Sequence, residues 1–357
     1  MIVTTIEKKN YFCTSFVKQY LMTKLAIVIL NWNGKRFLEQ FLPVLEQYLP
    51  EYAEIVVADN ASSDGSVAFL KEAHPSVRVL EHTENEGFAR GYNHAFEHVE
   101  AEYYCLLNSD IEVTPHWIEP IIEQMDSDER IAAVQPKLLS YHDRGRFEYA
   151  GASGGFVDKY GYPFCRGRVF SNVEDDHGQY DNEMDIFWAS GAALFVRSDV
   201  YRTMGGLDPD FFAHMEEIDF CWRIKNAGYK IKVNPKSVVY HIGGGTLPKN
   251  NSFKTYLNFR NNLFLLLKNL PEERLAKTFI VKFFLDQIAA VFFLLQGHFK
   301  DFTAVYKAMF HFYKDYKKCK AKRNTLPKLA YTDTYPKSVV FLHYFKRKKI
   351  FNGESFS

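Results

Sequence analysis

The order of the chain predicts an α/β fold: a mostly parallel central sheet flanked by helices, followed by a helical, basic C-terminal appendage. Three observations carry this. Short β-branched runs alternate with helical periodicity through the first third of the chain. Each of those runs stops abruptly in small polar residues. Beyond Phe253 the texture changes to long aromatic-rich helical runs, with 20 Lys/Arg against only 7 Asp/Glu. The formal net charge of +1 therefore hides an acidic body and a basic tail, which points to an anionic partner for the tail.

The first strand is "LAIVIL" at 25–30, closed by Asn31, Trp32, Asn33 and Gly34. "FLEQFLPVLEQYL" follows with apolar residues at helical spacing, interrupted by Pro43. "AEIVVADNASSDGS" is a second strand ending in a polar loop, and "SVAFLKEA" is a helix capped by Ser66. "VRVLEH" makes a third strand, "GFARGYNHAFEHV" a helix and "YYCLL" a fourth strand. In such sheets ligands sit beyond the carboxyl ends of the strands. The polar punctuation falls there, at Asn31 and Asn33, at Asp59 and Asn60, and at Asn108 and Asp110 in "LLNSDIE".

Four segments follow from this pattern: an N-terminal extension at 1–22, poorly ordered and preceding the first convincing strand; a catalytic α/β domain at 23–253; an amphipathic helical region at 254–325; and a basic tail at 326–357. Five scattered cysteines form no C-x-x-C pair, which argues against a zinc knuckle or a disulfide framework and suits a reducing compartment. No signal-peptide pattern opens the chain.

Several residues at the predicted edge could do chemistry. The Asp59 carboxylate could accept from a base imide N–H or a ribose hydroxyl, or it could simply cap the next helix. Asp110 could hold a hard divalent cation through oxygen, and His241 in "VVYHIGGGT" could add a nitrogen ligand of the kind Mn2+ accepts. Gly243, Gly244, Gly245 and Thr246 make a stretch where backbone N–H groups can approach phosphates. "FFAHMEEIDFCWRIKNAGYKI" at 211–231 predicts an amphipathic helix stopped by Gly228, with Glu216, Glu217 and Asp219 near its start. Of these three acids, one facing the sheet edge would serve as a general base, its pKa raised by like-charged neighbours. Trp188, before "ASG", is a candidate platform for a sugar face, or a core residue.

Seven stretches, in order, resemble the family 2 glycosyltransferases, especially the rhamnosyltransferase-like branch: "VILNWNG", "VVADNASSDGS", "NEGFARGYNHA", "LLNSDIE", "WASGAALFVR", "GGLDPDFFAHMEEIDFCWRIKNAGY" and "VVYHIGGGT". They cover about 24–250. The resemblance implies a GT-A fold that binds a nucleotide-diphosphate-sugar. It puts Asp59 on the nucleotide and Asn31 in its pocket, with Asn33, Asn60, Asn85, Gly87, Arg90, Asn108, Gly244 and Gly245 contributing to the donor site. Asp110 matches the last acid of the family's D-x-D motif, and His241 its later metal-ligating histidine, for Mn2+ or Mg2+. Glu217 matches the catalytic base, with Glu216 and Asp219 beside it, and Trp188 and Gly191 fall on the acceptor side. Two departures stand out: Asn108 replaces the first D-x-D acid, and the base is Glu where Asp is commoner. The implied reaction is one inverting transfer from a dTDP- or UDP-sugar, with dTDP-rhamnose favoured, to a glycan or polyprenyl-diphosphate-linked acceptor.

"FIVKFFLDQIAAVFFLL" at 279–295 is slightly short for a span and is interrupted by Lys282 and Asp286. It predicts one arm of an amphipathic hairpin lying on an anionic membrane surface, with "YLNFRNNLFLLLKNL" as the other arm. Lys314, Lys317, Lys318, Lys320, Lys322 and Arg323 would add electrostatic attraction. A helical cap packed on the catalytic domain is the alternative. No recognised nucleic-acid module accompanies the charge, which disfavours nucleic acid as the partner. The expected location is cytoplasmic, peripheral to the inner face of the cell membrane. The competing functions are a sugar nucleotidyltransferase, which would want a Gly-rich basic loop after the first strand, and a pseudo-transferase that binds without turnover.

Overall fold

A computed structural model describes residues 23–243, 251–326 and 333–357. The expected extension at 1–22 therefore lies outside the described residues, as do Gly244 and Gly245. In chain order the first elements are β1 (Thr23–Asn31), α1 (Lys35–Gln47), β2 (Ala53–Asp59), α2 (Ser66–Ala73), β3 (Arg78–Glu81), α3 (Gly87–Glu97) and β4 (Ala101–Asn108). These strands pair in parallel in the spatial order β3–β2–β1–β4. Alternate residues of β1 pack into opposite cores: Ala26 and Val28 on one face, Leu25, Ile27 and Ile29 on the other. Both faces are covered by helices, so Leu25–Leu30 is an unbroken apolar run. One local expectation changes: Ser66 is the first helical residue of α2, and Asp64 accepts its N–H at 3.0 Å.

The register fixes the working edge. Asn31 pairs with Asp59, and Leu30 with Asn108, so three polar strand ends stand side by side. The chain continues through β5 (Ile111–Val113), α4 (Glu119–Ser127) and β6 (Ile131–Ser140). A small antiparallel sheet follows: β7 (Gly155–Val157), β8 (Pro163–Cys165), β9 (Arg168–Val169) and β10 (Asn172–Val173). After β11 (Met184–Asp185), β12 (Ala193–Arg197) enters the main sheet antiparallel, between β4 and β6. This brings the "ASG" turn to the same edge, with Ala193 opposite Leu107. Beyond α5 (Ser198–Thr203) and α6 (Glu216–Asn226), β13 (Lys230–His241) runs parallel to β6 and antiparallel to β5, setting His241 opposite Ile111.

The predicted helix over 211–231 begins only at Glu216. Before it, Phe212, His214 and Met215 all take positive φ. The reason is tertiary: the buried Asn261 side chain donates to the carbonyl oxygens of Phe211, Ala213 and His214 at 3.0, 2.9 and 2.7 Å. Those oxygens would otherwise accept within a helix, so the stretch is held as a loop that aims the first turn of α6.

Asn261 belongs to α7 (Ser252–Asn269), which is followed by α8 (Glu272–Leu295), α9 (Phe299–Thr325) and α10 (Val339–Tyr344). The "LFLLLKNL" half of α7 is buried, and Leu263–Leu267 join the main core. This corrects the expected hairpin: α7 is a core helix, and α8 pairs outward with α9 instead. The C-terminal segment also folds back, as Val339, Leu342, Phe351 and Phe356 pack against Phe164 and Val169 of the small sheet. The buried Asp158 carboxylate pins it by accepting the Val339 N–H at 2.9 Å.

Candidate active site

The first two polar loops form a hydrogen-bonded knot. Asn31 Nδ2 donates to Asp59 Oδ1 at 2.9 Å and to Ser62 Oγ at 3.2 Å, and Ser62 N donates to Asp59 Oδ2. Asn31 Oδ1 is buried without a partner. Asn33 bridges the loops structurally: its N–H donates to Ser62 Oγ, and its Oδ1 accepts from Ser63 N. Gly34 lies between Asn31 and the "NSD" loop, where a Cβ would stand 3.2 Å from Ser109 Oγ.

Asn60 ties in the third loop. Its Oδ1 accepts from Glu86 N, while Nδ2 donates to Asn85 Oδ1 and Gly87 O. Gly87 has φ +73 and lies against the Phe212 ring, so this third loop touches the loop that precedes α6. Arg90 stands exposed on the first turn of α3.

The third group gathers at the ends of β4, β6 and β13. Asp110 and His241 are both buried, with Oδ1 and Nε2 3.2 Å apart. The other ring nitrogen, Nδ1, stands 3.4 Å from Glu148 Oε1. Burial works against charge on His241, but Glu148 and Asp110 outweigh it and push its pKa up to about 10. Burial likewise opposes ionisation of Asp110, yet His241 and nearby N–H groups hold its carboxyl below the usual range. Sequence reasoning missed Glu148. It lies in an irregular stretch with no spacing signal, and only the bridge between Leu139 and Phe147 brings it to the edge.

The donor set suits a divalent cation such as Mn2+: carboxylate oxygen and imidazole nitrogen on one side of the ring. Glu148 occupies the far side, where a carboxylate commonly orients a metal-binding histidine and sets its tautomer. Asn108, in place of an acid, donates its N–H to Ala192 O at 2.9 Å.

Glu217 stands across the "ASG" turn. A Cβ on Gly191 would lie 3.6 Å from Glu217 Cβ and 3.2 Å from Phe88, so the turn abuts the acid. Burial raises the Glu217 carboxyl to about 7, and its Oε2 has no partner. Glu216 is pushed well above the usual range, by burial first and by Glu217 second. Desolvation therefore leads, rather than the like-charge repulsion expected from sequence. The third acid of that turn has a different job. Asp219 is fully buried, accepting from Arg223 at 2.9 Å, Lys268 at 2.7 Å and Asn269 at 2.8 Å. It anchors α6 to α7 and faces away from solvent, which corrects its candidacy as a catalytic acid.

Trp188 is corrected too. It is buried, its Nε1 donates to Phe156 O at 3.0 Å, and its ring leaves no room for a Cβ on Gly155. It is a core residue next to the "ASG" turn.

Residues 26–180 match the family model described as Glycosyl transferase family 2. The chain carries a family 2 glycosyltransferase domain. It is thus a glycosyltransferase, and its curated relatives include a rhamnosyltransferase. An N-acetylglucosaminyl-diphospho-decaprenol L-rhamnosyltransferase of Mycobacterium tuberculosis is 23% identical over 232 residues, which are 61% of this chain and 75% of that one. A low-salt glycan biosynthesis hexosyltransferase, Agl10 of Haloferax volcanii, is 24% identical over 259 residues, covering 70% and 78%. Among solved structures, S. aureus TarS 1–349 in complex with UDP-GlcNAc aligns with a TM-score of 0.54 at 15% identity, over 84% of this glycosyltransferase and 83% of TarS 1–349. GalNAc-T7 with UDP, GalNAc and Mn2+ aligns with a TM-score of 0.56 at 16% identity, over 71% of this chain. The chain spans about half of GalNAc-T7, 49% of its length. These likenesses show the GT-A fold.

Proposed function

We propose that this glycosyltransferase moves one sugar, with inversion, from a nucleotide-diphosphate-sugar to a hydroxyl of a lipid-linked cell-envelope glycan precursor. The observation that carries it is Glu217: a carboxylate held near pKa 7 by burial, with one oxygen unpartnered, beside the acceptor turn. A base poised near the working pH balances strength as a proton acceptor against the fraction that stands unprotonated.

In this reading Glu217 takes the proton of the acceptor hydroxyl as that oxygen bonds to the anomeric carbon. The bond from that carbon to the diphosphate breaks, and its electrons go to the leaving nucleoside diphosphate. Asp110 and His241 would hold a divalent cation, Mn2+ or Mg2+, which when bound supplies positive charge for the diphosphate. Glu148 would orient His241 from behind. Asp59 and Asn31 would receive the nucleotide base or ribose. GT-A neighbours solved with UDP or UDP-GlcNAc support a nucleotide-sugar donor, and Mn2+ in one of them supports a divalent ion. The mycobacterial relative's name supports L-rhamnose as the sugar moved and a polyprenyl-diphosphate-linked acceptor; a dTDP-linked donor is our reading. In this reading the enzyme meets such an acceptor at the inner face of the cell membrane.

The test is donor turnover by purified protein across a panel of nucleotide-sugars, with Mn2+, Mg2+ or chelator, with and without lipid-linked acceptor. Metal-dependent release of nucleoside diphosphate from one donor, abolished by Glu217→Gln, is the expected result. Silence across the panel despite nucleotide binding would make the protein a binder.

A further inference from the structure

We infer that the outward face of the α8–α9 hairpin is a docking surface that lies flat on an anionic bilayer. The inference rests on the membrane setting proposed above and names the surface that meets the lipid.

Helix α8 is amphipathic the wrong way round for a water-facing helix. Its central charges point inward: Lys282 and Asp286 pair with each other and are 2% and 1% exposed. The Lys282 ammonium sits over the rings of Tyr162 at 4.8 Å and Phe259 at 5.2 Å. The opposite face carries Ile280, Phe284, Ile288 and Leu295, each at least 60% exposed. On α9, Phe299, Tyr306 and Tyr313 recur every seventh residue, joined by Phe310, and all four are exposed. The two helices pack side by side, with Tyr306 Oη donating to Gln287 Oε1 at 2.9 Å. A contiguous apolar patch of this kind marks an interaction surface.

Charge selects the occupant. Lys300, Lys307 and Lys314 follow the aromatic stripe one residue on and are all exposed. A second copy docked by a two-fold axis would bring these lysines against their own equivalents. Anionic headgroups would instead neutralise them while the aromatic and aliphatic side chains enter the acyl boundary. The later basic run contributes less than its composition suggests. Lys318 and Lys322 are bridged to Asp210, Lys322 also to Asp208, and Arg323 to Glu272.

Length and composition alone would let α8 cross a membrane. The inward ion pair decides against crossing, because a span would expose Lys282 and Asp286 to hydrocarbon after stripping them from Tyr162 and Phe259. The hairpin lies on the bilayer with its buried side kept against the protein.

Vesicle flotation of the full chain tests this, using phosphatidylcholine alone or mixed with phosphatidylglycerol. Wild type is expected to float with the mixed vesicles. I288E/L295E is expected to lose about tenfold or more of that binding. K300E/K307E/K314E is expected to lose the phosphatidylglycerol dependence and the sensitivity to salt. Donor hydrolysis and melting temperature should be unchanged in both variants. Failure of wild type to float, equal flotation of wild type and both variants, or a wild-type dimer that I288E/L295E dissociates would each overturn the inference. Vesicle binding with no donor turnover would remove the proposed reaction and leave the docking surface standing.

Discussion

Replacing Asn261 by Leu isolates what the loop before α6 contributes to catalysis. Leu is close in volume, so the main loss is the amide. Its Nδ2 serves three carbonyl oxygens, but that of Phe211 also accepts from Arg260 at 3.0 Å and keeps a partner. Two oxygens, on Ala213 and His214, are left without this donor. At about 1–3 kcal/mol for each acceptor deprived of its bond, and with Ala213 and His214 half-buried, the cost is at most about 2–6 kcal/mol. A melting temperature lower by about 4–24 °C follows, at roughly 2–4 °C per kcal/mol for a domain of this size. Positive φ at Phe212, His214 and Met215 should relax toward helix once the carbonyls are released, turning Glu217 away from the acceptor turn. Turnover of donor should therefore fall more than tenfold in protein that is still folded, while nucleotide affinity stays the same, since Asn31 and Asp59 are untouched. Calorimetry, nucleoside diphosphate release and nucleotide titration read the three quantities. A variant with unchanged melting temperature and unchanged turnover would refute the account of how α6 is aimed.

Three further outcomes follow. Glu217 has a folded pKa raised to about 7. Folding thus favours its protonated form, and the stability this group contributes is full below the ordinary carboxyl range and lost as pH rises through 7. Glu217→Gln should accordingly abolish transfer yet melt higher than wild type at pH 8 and no higher at pH 4, and wild-type turnover should climb through pH 7. Glu148→Gln should leave nucleotide binding intact but raise the Mn2+ concentration needed for half-maximal turnover by about 10- to 100-fold, as loss of an orienting carboxylate does; an unchanged Mn2+ titration would deny Glu148 that role. Lys268→Met strips Asp208 and Asp219 of a shared buried cation. Breaking such a group from one side costs about 3–5 kcal/mol, read by thermal unfolding, and a cost near zero would mean that Asp219 does not anchor α6 to α7.

The reach of the sequence differs from residue to residue. Asn31, Asp59 and Asn108 were legible because each terminates a parallel strand, and parallel pairing brings like ends to one edge whatever the helices between them do. Asp110 and His241 were legible as separate candidates, and the pairing of β13 with β5 brings them together. Glu148 was not, because nothing near it in the chain distinguishes it from any surface acid. Asp219 and Glu217 lie two residues apart on one helix, so local pattern could not tell the anchor from the proposed base. That choice belongs to Lys268 and Asn269, about fifty residues downstream.

The sequence by itself determined the alternating strands and helices, the polar edge and the two leucine- and phenylalanine-rich helical runs, because side-chain periodicity and turn chemistry act over a few residues. Tertiary structure alone decided which of those runs became core and which became surface. Both α7 and α8 are apolar enough to be buried. The α7 polar residues find partners inside, Asn261 on main-chain oxygens and Lys268 on two carboxylates, so its leucines follow them into the core. In α8 the central charges Lys282 and Asp286 pair with each other, against Tyr162 and Phe259, and Ile280, Phe284 and Ile288 are left facing out. Burial of a charged group needs a specific partner, whereas apolar surface needs only the absence of water, so the placement of the charges settles the orientation of the helix.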